Sequence, residues 1–355
     1  LENQQGRIVL LGSTDGGTLN LGGQLDVRGG AGQQGGSVTA LGQHVGLFSA
    51  QIDASGGLGG GAVLVGGGFQ GKNPDLPAAS AVYMSPDSLI RANATAQGPG
   101  GQVVLWATDS VRAGGQILAR GGPQGGAGGM VETSAHGLNV QGLRVDTQAP
   151  QGPTGTWLLD PADVTISSSA TTDASLVGNV FMPDSGTGAA QINVADLVTA
   201  LGGTNVTVTT TNSGVSGGGL GDIQVNAAIV WTAPTTLSLN AARDVRVNQA
   251  ITATDGSLAV TAGRNVQVDA AVTTTTGQLN FTAVQDVALN AATTITTGQL
   301  TAVAGRDVMV AAPATVTTGN MVFRADNDGT GPGVAAGTVN ISCSLNCLTL
   351  TTGQL

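Results

Sequence analysis

Cleaving or eliminating a sugar linkage takes grouped carboxylates, often with an Arg or Lys to neutralise charge. The chain has 22 acidic residues, but only Glu2 and Glu132 are Glu, and Lys72 is the single lysine. Its Asp residues are scattered, most of them beside Gly or where a turn is expected. Asp160 and Asp163 lie close in sequence. Asp326 and Asp328 could hold a cation, although Thr330 breaks the calcium-loop pattern. His44 and His136 stand alone, with no His or Cys at metal-ligand spacing, and read as corner or surface residues. Trp106, Trp157, Trp231 and Tyr83 could stack on sugar rings if exposed. Each also sits in or near an apolar strand, where core or edge packing is the default. The expectation is therefore no enzyme, no cofactor and no metal, with the four aromatics as candidate glycan contacts.

The elements that carry these residues follow from composition and period. Of 355 residues, 58 are Gly, only 10% are charged and 3% are aromatic. An average domain has about 7% Gly and about 25% charged residues. The 41% hydrophobic content argues against disorder. Glycine follows no three-residue period, which excludes collagen. A net charge of -10 and one lysine argue against a nucleic-acid partner. No apolar run is long enough to span a bilayer. Asp, Asn, Ser, Thr and Gly in place of Glu and Lys favour strands and turns over helices.

The C-terminal third repeats every 21 residues. Gly256-Ser257-Leu258 returns as Gly277-Gln278-Leu279, Gly298-Gln299-Leu300 and Gly319-Asn320-Met321. Arg243-Asp244-Val245 returns as Arg264-Asn265-Val266, Gln285-Asp286-Val287 and Arg306-Asp307-Val308. Apolar residues alternate in three pairs per repeat, as in Val245/Val247, Ile251/Ala253 and Leu258/Val260, which is the strand period. Three short strands per repeat describe one coil of a three-sided prism. Such a coil cannot bury its apolar face alone and must stack on copies of itself. The expected fold is all-β: a right-handed parallel β-helix, a single continuous solenoid, with Val245, Val266, Val287 and Val308 in one buried column. Asn226, Asn248, Asp269 and Asn290 should stack as a structural polar ladder at a corner.

The N-terminal half reads as a looser version, residues 1–166. Its coils begin at Gly36-Ser37-Val38, Gly61-Ala62-Val63, Gly101-Gln102-Val103, Gly129-Met130-Val131 and Gly155-Thr156-Trp157. Most steps are about 25–28 residues, and one of 40 holds the insertion Gly71–Pro77. Its glycine runs lack the Lys-Ser/Thr of a phosphate loop. Residues 167–222 read as an irregular transition with the one short helix near 193–201, capped by Asn193 and stopped by Gly202. The 21-residue array then fills 223–355, interrupted near 326–337. The chain starts at Leu1 with no signal-like segment and ends on the opening of another repeat, so both ends read as cut from a longer protein.

Gly68-Phe69-Gln70-Gly71-Lys72-Asn73-Pro74-Asp75, Gly101-Gln102-Val103-Val104-Leu105-Trp106-Ala107, Ala119-Arg120-Gly121-Gly122 and the run Gly155 to Ile166 (GTWLLDPADVTI) occur in this order. Over roughly residues 1–210 the chain resembles the filamentous-haemagglutinin and high-molecular-weight-adhesin family of two-partner secretion exoproteins. The resemblance implies a long β-helix of a Gram-negative bacterium, exported through an outer-membrane β-barrel transporter to the cell surface or medium. It implies adhesion, biofilm building or virulence, with matrix glycans, surface glycans or host receptors as partners, and supplies no catalytic residues. Asp160 and Asp163 follow the Leu-Asp-Pro motif of that family, which favours a structural turn. In an exported protein Cys343 and Cys347 are expected to form a disulfide at a coil corner; two reduced, buried thiols are the alternative. Asn93, Asn205, Asn280 and Asn340 open Asn-x-Ser/Thr sequons, about as many as this composition yields by chance. Three functions stand at this point: the shaft of an adhesin, the stalk of a contact-dependent toxin, and a polysaccharide-active β-helix enzyme.

Overall fold

A computed structural model describes residues 6–169, 174–177, 180–183, 190–210, 219–326, 337–343 and 347–354. The fold is an all-β parallel β-helix with three short strands per coil. The described residues form two compact units, one within Leu1–Ala162 and Ser169–Val206, the other within Asp163–Ser168, Thr207–Thr211 and Gly219–Leu355.

In the first unit the strands Arg7–Leu11, Ser37–Leu41, Ala62–Val65, Gln102–Trp106, Met130–Ser134 and Thr156–Asp160 pair in parallel in that order. The register places the residue after each landmark glycine directly above its counterpart: Ser37, Ala62, Gln102, Met130, Thr156. One residue further on, Val38, Val63, Val103, Val131 and Trp157 form an interior column with no exposed surface. The middle strands bury Val45, Val82, Val111 and Leu138, and the third strands Ile52, Ile90, Ile117 and Val145.

The glycine column has a steric cause. A Cβ on Gly36, Gly61, Gly101, Gly129 or Gly155 would lie 1.9, 1.9, 2.1, 2.2 or 2.1 Å from the carbonyl oxygen of the glycine one coil earlier. Only a residue without Cβ lets the backbone stack that closely. The 40-residue step keeps this register, because the insertion leaves the coil after Val65 and rejoins it at the strand Ala81–Met84.

The expected helix spans Val194–Leu201, and the Asn193 side chain accepts from the Ala195 N–H at 2.9 Å. Its buried residues are Leu197, Ala200 and Leu201. It lies against the edge strand Arg144–Asp146. There Gly142 N–H donates to Asp196 at 2.9 Å and Thr147 N–H donates to Thr204 Oγ1 at 3.1 Å. The segment thus covers strand groups that would otherwise lack a partner.

In the second unit the 21-residue register holds as read. Val245, Val266, Val287 and Val308 stack in one column, at most 1% exposed. Val308 then sits beside Val339, so the excursion lengthens one step without moving the register. Strands Val272–Ala283, Thr293–Ala304 and Ala314–Arg324 join the third side of one coil to the first side of the next. They turn through Gly277, Gly298 and Gly319, at φ 155°, 150° and 138°. The polar ladder forms as two pairs. Asn248 Nδ2 donates to Asn226 at 2.7 Å, and Asn290 Nδ2 donates to Asp269 at 2.8 Å. An Asp269 carboxylate has no proton to donate to Asn248, which is where the ladder breaks.

Candidate functional site

The four aromatic candidates are core residues. Trp106, Trp157, Trp231 and Tyr83 are 2%, 0%, 3% and 9% exposed, so none offers a ring face to a sugar. Trp157 continues the inner valine column and donates Nε1–H to Thr133 Oγ1 at 3.1 Å. Trp231 donates to the Thr235 carbonyl at 3.3 Å and fills the space that a Cβ on Gly256 would need, 2.2 Å from the indole nitrogen. Tyr83 packs on Phe48 with ring centroids 5.2 Å apart.

Trp106 is buried for a different reason. Its side chain leaves the sheet on the outer face, where the insertion folds over it. A Cβ on Gly67 or Gly71 would lie 2.8 or 2.4 Å from the indole. The same roof covers Glu132, which has no exposed surface. The turn Phe69–Gly71 brings the Gln70 N–H within 3.1 and 3.0 Å of the two Glu132 carboxylate oxygens, and Ser134 Oγ donates at 2.7 Å. Gln70 adopts the left-handed conformation, φ 54°, to do so. Lys72 Nζ donates to Gln70 Oε1 at 2.7 Å. Burial pushes the Glu132 carboxyl above its ordinary range; the Gln70 and Ser134 hydrogen bonds and the Lys72 charge act against that. Sequence reasoning missed Glu132, because its partner is 62 positions away.

An open groove of about 780 Å³ runs across successive coils of the first unit, floored by the stacked glycine pairs. Its polar side chains include Arg7, Gln34, Gln102, Thr154 and Thr156, with no carboxylate among its lining residues. The floor N–H groups of Gly36, Gly61, Gly101, Gly129 and Gly155 already donate across the corner to carbonyls of Val27, Ala54, Ala92, Ala119 and Thr147. The groove can offer side-chain hydrogen bonds but no acid–base pair.

The second unit holds its charges in a spine between coils. Arg243 Nε donates to Asp222 at 2.6 Å, Arg264 to Asp244 at 2.8 Å and Arg306 to Asp286 at 2.7 Å, each pair closed by a second guanidinium contact. The same acceptors take the backbone N–H of the next coil: Asp244 on Asp222, Asn265 on Asp244, Asp307 on Asp286. Where Gln285 replaces the arginine, Asn265 replaces the aspartate, so that rung is neutral on both sides and Asn265 still accepts from Asp286 N–H at 3.3 Å. The guanidinium of Arg264 holds Asp244 below the ordinary carboxylate range, and that of Arg306 does the same for Asp286. Asp163 accepts from the N–H groups of Leu220, Gly221 and Asp222 at 3.0, 2.7 and 2.8 Å, a structural cap. Asp160 is buried at 1% exposure.

Cys343 and Cys347 are joined in a disulfide with Cα atoms 5.4 Å apart. Of the suggested cation pair, Asp328 lies outside the described residues, and Asp326 N–H donates to the Arg306 carbonyl. His136 Nδ1 is buried without a partner and His44 is half-buried. Among the described residues no three His, Cys, Asp or Glu side chains gather into a metal-binding group, and no helix is long and apolar enough to cross a membrane. Asn93 and Asn205 have side chains tied to backbone groups, Arg120 N–H at 2.8 Å and the Thr154 carbonyl at 3.2 Å. No protein-family model matches the chain, and no curated protein matches it.

Proposed function

We propose that the chain is shaft from a secreted bacterial surface adhesin of the filamentous-haemagglutinin type, exported through an outer-membrane β-barrel transporter and serving attachment to cells or to a biofilm matrix. The observation that carries this reading is the coil-to-coil spine of the second unit. Each acceptor holds the next coil's backbone, and each arginine holds the previous coil's aspartate. Polar side chains are used to bind coil to coil, as a repeat pulled along its axis requires. The carboxylate-free groove of the first unit suits holding a ligand rather than cleaving one.

The test is genetic and mechanical. Deleting the gene from its host should reduce surface attachment or biofilm mass, and disabling the partner transporter should leave the protein inside the cell. A deletion strain that attaches normally but no longer inhibits neighbouring cells would favour the toxin stalk instead. Turnover of pectin, alginate or a bacterial exopolysaccharide by the purified chain would replace both readings with an enzyme.

A further inference from the structure

In the second unit the third strand of five successive coils reads Thr-x-Thr, at 252–254, 273–275, 294–296, 315–317 and 349–351, while the coil before them places Val230 beside Thr252. The first threonines stack in register, Thr252, Thr273, Thr294, Thr315, Thr349. The residues between them at 253, 274, 295 and 316 are buried, so the flanking threonines face outward. Two columns of five threonines therefore share one face, the first in ladder register and the second at the end of the short strand, where Thr275, Thr296 and Thr317 fall between paired positions.

This uniformity is confined to one side of the coil. Outward positions on the middle strand read Arg246, Gln267, Ala288, Met309 and Asn340. On the first strand they read Ser238, Ala259, Asn280, Thr301 and Val322. A strand on a solvated face tolerates that variety, and β propensity alone would admit Val, Ile or Tyr as readily as Thr. The hydroxyls differ too. Inward Thr274 and Thr293 bond to the carbonyls of Gly256 and Ala291. None of the ten outward hydroxyls has a hydrogen-bond partner among the described residues.

Threonine is stiff at χ1, so the array is rigid before anything binds, and little side-chain entropy is lost on binding. Coils stand about 4.8 Å apart, and alternate residues of a strand about 6.6 Å apart. The face is a two-dimensional lattice of paired methyls and hydroxyls that carries no charge and no aromatic ring within its columns. Its complement must repeat in two dimensions, be neutral, and both donate and accept hydrogen bonds. Water at the surface of ice meets all three conditions, with oxygen spacings of the same order. A crystalline polysaccharide would be better served by ring-stacking aromatics, which the face lacks. We propose that this threonine face binds ice. The inference stands apart from the shaft reading, which survives its failure.

The test uses the purified chain, fluorescently labelled on Lys72, in the other unit. The parent should be taken up into a growing ice hemisphere and should inhibit recrystallisation of a frozen dispersion. Thr294→Tyr and Thr296→Tyr, at the middle of the array, should lose most of both activities while keeping the parent's far-ultraviolet circular dichroism and melting midpoint. Gln267→Tyr, on another face, should keep both. A folded parent that is excluded from ice overturns the proposal. So does ice uptake that Thr294→Tyr and Thr296→Tyr leave unchanged, or threonine-dependent binding to crystalline cellulose or chitin without ice activity.

Discussion

Val287 sits in the middle of an interior column, with no exposed surface, between Val266 and Val308. Replacing it with Ala removes two carbons, about 1.6 kcal/mol at ~0.8 per buried carbon. The residual cavity raises the total to about 2–3 kcal/mol. Replacing it with Asp removes the same apolar contacts and buries a carboxyl that the apolar column leaves unpaired. That adds a desolvation cost of several kcal/mol, so Val287→Asp should cost about 4 kcal/mol or more. Met309, on the next coil's strand, faces outward at 40% exposure, and Met309→Asp should stay within about 0.5 kcal/mol of the parent. A solenoid transmits stability chiefly between neighbouring coils, so the readout should be local. Native-state hydrogen exchange at the amides of residues 266, 287 and 308 supplies it, with thermal melting as a second measure. If Val287→Asp protected those amides and melted like the parent, the 21-residue register would be wrong.

Gly129→Ala places a methyl 2.2 Å from the Gly101 carbonyl oxygen, so it should lower the melting midpoint, while Gly142→Ala, on an open turn at φ 77°, should cost only its backbone strain; equal melting would contradict the steric reading. Asp244 and Asp286 titrate below their unfolded value of 3.8, so their stabilising contribution is present above that value and is lost as pH falls through the lowered folded values. Melting midpoints should therefore drop steeply below pH ~4, and Asp286→Asn should flatten part of that drop. Glu132→Ala frees the Gln70 N–H, so exchange at Gln70 and trypsin cleavage after Lys72 should both accelerate; unchanged rates would mean that the carboxylate does not hold the roof.

The repeating core was legible because each coil restates it. Val245 and its three successors share a phase, and a one-residue slip would turn every one of them outward. The landmark glycines marked coil starts correctly even across the insertion. What was not legible depends on partners far apart in sequence. Trp106 reads as a strand residue whose exposure is undecided, and only the folding of Gly67–Gly71 onto it decides. Glu132 carries no local sign of its bond to Gln70. Arg264 and Asn265 are adjacent and read as one landmark, yet the arginine bonds to Asp244 of the coil before. The offset of one coil is what makes the joint loss of charge at Gln285 and Asn265 intelligible.

That offset also bears on how such an array can change length by recombination between its own repeats. A cut that removes Arg243 through Gly263 would set Arg264 over Asp222, leaving an oppositely charged rung. A cut that removes Gln285 through Gly305 would set Arg306 over Asn265, a cation with no anion beneath it. Repeats of the same length and the same apolar pattern are therefore not interchangeable. Duplication and loss should pass through the charged coils and spare the neutral junction, which would persist as a fixed marker while the stretches on either side of it grow or shrink.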